Sequence, residues 1–103
     1  MEQALNKLID QIVEDYRKYF GDTEENLKQF RNEIEISKGK KYARITQRGS
    51  AWGFVVLDDS DKKFKKGDIL MAAGWKTPAR NQARGNIFEE YSIGWAGPNY
   101  LRG

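Results

Sequence analysis

Residues 2–20 carry a continuous apolar stripe at helical spacing, and from Ile34 onward the spacing changes to two. That change of period constrains the fold more than any other feature of the chain. Leu5, Leu8, Ile9, Ile12, Val13, Tyr16, Tyr19 and Phe20 recur at i, i+3 and i+4, which predicts one amphipathic helix. Gly21 supplies its stop, and Glu14 with Lys18 forms an i,i+4 pair on its wet side. Asp22-Thr-Glu-Glu25 reads as a capping box opening a second, short helix to about Arg31, with Leu27 and Phe30 as its apolar pair. Ile34 and Ile36 then alternate with Glu33, Glu35 and Ser37 as a strand. Lys38-Gly39-Lys40 turns the chain, and Lys41 to Gln47 returns as the hairpin partner. A turn at Gly49-Ser50 leads to the most apolar strand, Ala51 to Leu57. Asp58-Asp-Ser-Asp61 is a polar loop, Gly67 precedes a strand over Asp68 to Ala73, and one more strand is expected near Tyr91 to Trp95.

These elements predict an α+β fold: an N-terminal amphipathic helix plus a short second helix, packed on a curved antiparallel sheet of four or five strands. A chain of 103 residues reads as a single domain, with an acidic helical part (1–32) and a basic β-rich part (33–103). The helix stripe has two uses open to it. Covering one face of the sheet within a monomer is the first, and forming a homodimer through the N-terminal helix is the second.

Composition excludes more than it selects. With no histidine and no cysteine, the usual bases, nucleophiles and metal ligands are missing, so a non-enzymatic protein with no cofactor and no metal is expected. A small enzyme using carboxylate or lysine chemistry is the third choice, behind two kinds of binding protein. Asp58-Asp-Ser-Asp61 lacks the D-x-D-x-D-G layout of a calcium loop and reads as a turn. No apolar run is long enough to cross a membrane, and the first residues lack a secretory layout, which together predict a cytoplasmic location.

Charge points to the partner. Residues 1–36 hold nine acids against five bases, whereas residues 37–103 hold thirteen bases against six acids. Such a split suggests that the second half meets an anion. Trp75-Lys-Thr-Pro-Ala-Arg-Asn-Gln-Ala-Arg-Gly-Asn86 is the main candidate site. Thr77 and Pro78 would open a helical turn over Ala79 to Ala83 that sets Arg80 and Arg84 on one face with Lys76 near its mouth. Arg80 and Arg84 would then contact phosphate, Trp75 would stack, and Asn81 and Asn86 would read polar edges. The alternative is that both arginines pair with Glu89, Glu90 or the acidic helices and only pin the loop. A secondary basic surface is Lys40, Lys41, Arg44 and Arg48, with Arg44 and Arg48 sharing a strand face with Tyr42. Bases interleaved with aromatics on a sheet face are the pattern of a single-stranded nucleic-acid platform, and equally of a solvated edge guarded by lysines.

Several strings also carry a family resemblance. Trp52-Gly-Phe-Val-Val56, Phe64-Lys-Lys-Gly-Asp-Ile-Leu70, Trp75 with Pro78-Ala-Arg-Asn81 and Ala83-Arg-Gly-Asn86, and the ending Trp95-Ala-Gly-Pro-Asn-Tyr-Leu101 resemble small, largely uncharacterised proteins of bacteriophages and prophages. The resemblance covers about residues 33–101 and implies a phage accessory protein acting in the bacterial host cytoplasm. The leading expectation is therefore a phage accessory protein that binds nucleic acid or a nucleotide. The alternative is a protein-interaction module, such as an inhibitor of a host protein or a virion assembly component, anchored by Trp75, Trp95 and Tyr100.

Overall fold

The computed structural model describes residues 2–21, 23–80, 82–89, 91, 93–95 and 97–98. The first helix, α1, spans Glu2–Phe20, and Leu5, Leu8, Ile12 and Tyr16 are buried along its inner face. The stripe leaves the core at its last turn, where Tyr19 is 71% and Phe20 53% exposed. Gly21 takes φ 92°, a left-handed cap that a side chain would strain, and its N–H donates to Arg17 O. On the wet side Glu14 pairs with Arg17 rather than with Lys18, one turn position nearer than expected, and this pairing lowers the Glu14 pKa.

The second helix, α2, runs over Glu24–Asn32 with Thr23 as its N-cap, and Thr23 makes no side-chain capping bond. The Asp22 half of the expected capping box lies outside the described residues. Glu24 and Glu25 in the first turn still complement the helix dipole. Phe30 is fully buried and stacks on Tyr16 at 3.9 Å between centroids, which joins the two helices.

Five strands form an antiparallel meander: β1 (Ile34–Lys38), β2 (Tyr42–Gln47), β3 (Ser50–Val56), β4 (Asp68–Met71) and β5 (Gly85–Asn86), adjacent in that order. Gln47 pairs with Ser50, so the β2–β3 turn is Arg48-Gly49 and not Gly49-Ser50. Both turn residues have positive φ (49° and 79°), the pattern of a two-residue hairpin loop. The expected late strand is reduced to a small hairpin of β6 (Ile93–Gly94) and β7 (Gly97–Pro98).

Alternation along the strands sorts the sheet into two faces. Ala43, Ile45, Val55 and Ile69 point to the helices and bury Leu5, Leu8, Ile12 and Phe30. A register shift opposite Ile45 and Thr46 leaves Trp52 unpaired in β3. The bulge turns Trp52 to the helix side as well, where its Nε1–H donates to Gly94 O at 2.9 Å. Gly53 beside it lies under Pro98, close enough that a Cβ would sit 2.9 Å from Pro98 Cγ and 2.8 Å from Leu70 O. The other face carries a second, smaller core of Phe54, Val56 and Leu70, closed by Phe64 from the β3–β4 loop. Half of that second face is thus covered by loops. The other half, over β1 and β2, is not.

Candidate functional site

The covered half is held by a carboxylate. Asp61 accepts backbone N–H bonds from Lys63 (2.8 Å) and Phe64 (3.1 Å), two guanidinium bonds from Arg80 (2.7 and 3.0 Å) and the Lys41 ammonium at 3.0 Å. Its side chain is only 1% exposed. The Arg80 hydrogen bonds, then the Lys63 N–H, hold its pKa far below the usual carboxylate range, and the same pair drives Arg80 upward. Arg80 also donates to Tyr42 Oη and lies over the Phe64 ring at 5.0 Å. Neighbouring acids serve the loop too: Asp58 accepts from Ser60, and Asp59 from the Lys66 N–H. The acidic run is a folded turn, as its composition predicted.

This arrangement corrects the expected phosphate clamp. Residues 78–80 and 82–84 form no helical turn, and Asn81 lies outside the described residues. Ala72 and Pro78 form a β-bridge instead, and Thr77 O accepts from the Ala73 and Gly74 N–H groups to close a tight loop between them. The chain is extended here because Ala79 N donates to Met71 O and Arg84 N to Ile69 O, alongside β4. Arg80 and Arg84 therefore do not form one helical clamp, and their guanidinium groups go to different partners. Arg84 donates to Gln82 O and approaches Met71 Sδ, whereas Arg80 is committed to Asp61. Glu89 pairs with Lys65 and raises its pKa; Glu90 lies outside the described residues.

Two further assignments change. Asn86 is buried, donating through Nδ2 to Lys66 O and Asp68 Oδ1 and accepting from the Phe88 N–H, so its amide fixes a loop and reads no ligand. Arg48 leaves the β2 face because it is a turn residue. Its guanidinium crosses to the helices, donating to Glu33 at 2.6 Å and Tyr16 Oη at 3.2 Å, which raises its pKa, and lies over the Phe30 ring. Trp95, a candidate interface anchor, packs edge-on against Tyr16 and Phe20, and its backbone N–H donates to the Asp15 carboxylate. Tyr100 lies outside the described residues.

What the fold brings together on the uncovered half is Arg44 and Trp75. Arg44 projects from β2 between Ser37 and Phe54, its register partners, on the face it shares with Tyr42. Trp75, at the tip of the loop closed by the Ala72–Pro78 bridge, is 45% exposed, and the Arg44 guanidinium lies over its ring at 4.7 Å. Such a cation–π pair is worth about 0.5–1 kcal/mol at an exposed site. Arg44 Nε is buried with no hydrogen-bond partner among the described residues. Concavities open on either side of this stack. One, of about 250 Å³, is lined by Lys40, Lys41, Tyr42, Phe54 and Lys76. The other, of about 490 Å³, is lined by Glu35, Ser37, Thr46 and Gly49 together with Arg44 and Trp75, and the Glu33–Arg48 pair borders it as well. Glu35, Ser37 and Thr46 were absent from the sequence-based candidates. The signal was available in the period-two alternation of β1, whose polar residues face the same way as Arg44 once the hairpin register is set.

A helix-backed antiparallel meander, with a basic and aromatic concave surface on its far side, defines a small α+β protein of the two-layer class. The chain matches, over residues 1–100, a family of unknown function (DUF7717), and it belongs to that family. The match takes in the helical part as well as the β-rich part. No curated protein and no solved structure matches the chain. Among the described residues there is no group of three or more acids that could hold a metal ion, and no helix long and apolar enough to cross a membrane.

Proposed function

We propose that this protein is a non-enzymatic, phage-encoded accessory protein that binds a phosphate-bearing ligand, nucleic acid above all, on the uncovered half of the sheet. The observation that carries this reading is the Arg44–Trp75 stack, with one indole face against a guanidinium, the ring half exposed, and the same Arg44 lining a concavity with Lys40, Lys41 and Lys76. A base stacks on the accessible part of the indole, and the phosphates on either side meet Lys40, Lys76 and Arg44. Lys41 is shared with Asp61 and contributes less. The phage origin, and with it action in the bacterial cytoplasm, rests on the sequence resemblance alone.

Fluorescence anisotropy with labelled single-stranded DNA, duplex DNA and RNA tests the reading at roughly 50 and 200 mM salt. Single strands are expected to bind at micromolar concentration or tighter, to weaken steeply with salt as counterions are released, and to quench Trp75 emission. An Arg44→Ala, Lys76→Ala variant with unchanged circular dichroism should lose about tenfold or more in affinity. Absence of binding at low salt to all three probes would discard nucleic acid as the ligand.

A further inference from the structure

The larger concavity contains a feature that phosphate binding does not explain. Of its two carboxylates, Glu33 is held by Arg48, but the Glu35 carboxylate has no ion-pair or hydrogen-bond partner among the described residues. Glu35 sits on the uncovered face opposite Thr46, two register positions along the hairpin from the Ser37–Arg44 pair. That places it diagonal to Arg44, yet Arg44 turns its guanidinium to Trp75 instead. An unpaired carboxylate beside a phosphate-binding arginine repels the backbone of a nucleic acid. It is suited to a base edge.

We propose that Glu35 makes this site selective for guanine. The inference rests on the function proposed above and names the base that the stack accepts. An ionised carboxylate only accepts hydrogen bonds, through two oxygens side by side, so its complement is a pair of adjacent N–H donors. Guanine alone among the four bases presents such a pair on its Watson–Crick edge, at N1 and the 2-amino group. Adenine and cytosine place a ring acceptor beside their amino group, and thymine flanks its single N–H with two carbonyls. Each of the three would turn at least one acceptor toward a carboxylate. Stacked on Trp75, a guanine directs that edge into the concavity where Glu35 lies, and the exposed Ser37 hydroxyl lining it is a donor for the O6 carbonyl, whereas the buried Thr46 hydroxyl donates to Glu35 O.

The test uses the whole chain and short single strands in which thymine alternates with guanine, adenine, cytosine or hypoxanthine, beside an all-thymine strand, by anisotropy at low salt. Alternating thymine keeps guanine from self-assembling. The guanine strand should bind about tenfold tighter than the others, the size of one bidentate base contact. Hypoxanthine keeps N1–H and lacks the 2-amino group, so its strand should fall back toward the all-thymine value. Glu35→Gln and Glu35→Ala, both on an exposed strand position, should erase the preference while all-thymine binding is kept or strengthened. Equal binding of every strand overturns the inference and leaves the proposed function standing. So does a guanine preference that survives in both Glu35 variants or with hypoxanthine. Failure of every strand to bind overturns the function, and this inference with it.

Discussion

Asp61 and Arg80 divide the labour of the loop region between them. Five donors converge on one carboxylate, and the arginine that supplies two of them also touches Tyr42 and Phe64. The pair therefore ties the β3–β4 loop, β2 and the segment before β5 into one lid over the second core. Its pH signature follows from the direction of the shift. Folding depresses the Asp61 pKa, so the stabilisation is fully present above the unfolded value of about 3.9 and is lost as pH falls below it toward the folded pKa. Urea unfolding of the wild type and Asp61→Asn should give a constant stability difference from about pH 7 to 5, with the wild type ahead, and a shrinking one below about pH 4. A difference that stays flat through the acid range would show that Asp61 titrates in the folded protein as it does in the unfolded chain. By contrast, Arg44 lies over an aromatic ring and pairs with no carboxylate among the described residues, so its charge is not consumed as that of Arg80 is.

Among the elements, β3 decides how the two faces are furnished. Its bulge sends Trp52 and Gly53 to the helix side together, and Phe54 to the opposite side, so one strand feeds both cores. Gly53 is required by the close approach of Pro98 and of Leu70 O, because neither the proline ring nor a strand carbonyl can yield. Gly53→Ala should cost about 1–3 kcal/mol in chemical denaturation, through overpacking of the β3–β7 contact. Unchanged stability would mean that the β6–β7 hairpin moves aside freely. The neighbouring hairpin shows how one turn can reassign a residue. Because Arg48 occupies a positive-φ loop position, it belongs to the helix contacts and not to the basic sheet face.

On the scale of the whole molecule, the charge split along the chain becomes a split across the sheet. The acidic helices cover one face, and the Arg44–Trp75 stack with Lys40 and Lys76 stands on the other. If anions approach from the far face, reversing charge there matters more than reversing it on the helices. Lys40→Glu should weaken single-strand binding about tenfold at low salt, and Lys28→Glu, on α2, by less than about twofold. Equal losses would indicate a response to net charge alone. Much of this architecture is legible in the order of the residues. Helical and strand periods, the Gly21 stop and the acidic turn are local properties, set by backbone sterics and by which neighbours share a face, so α1, α2 and the first four strands could be read directly. The candidate site was only half legible. Trp75, Lys76, Lys40 and Arg44 were named as two separate groups, and nothing local brings residue 75 over residue 44. Tertiary structure alone decided that Arg80 would face Asp61, that Asn86 would be buried, that a bulge would turn Trp52 and that one loop tip would meet β2. Partners far apart in the chain meet only after the sheet register is set and the loops close, and long-range packing then chooses which cations are consumed and which remain exposed.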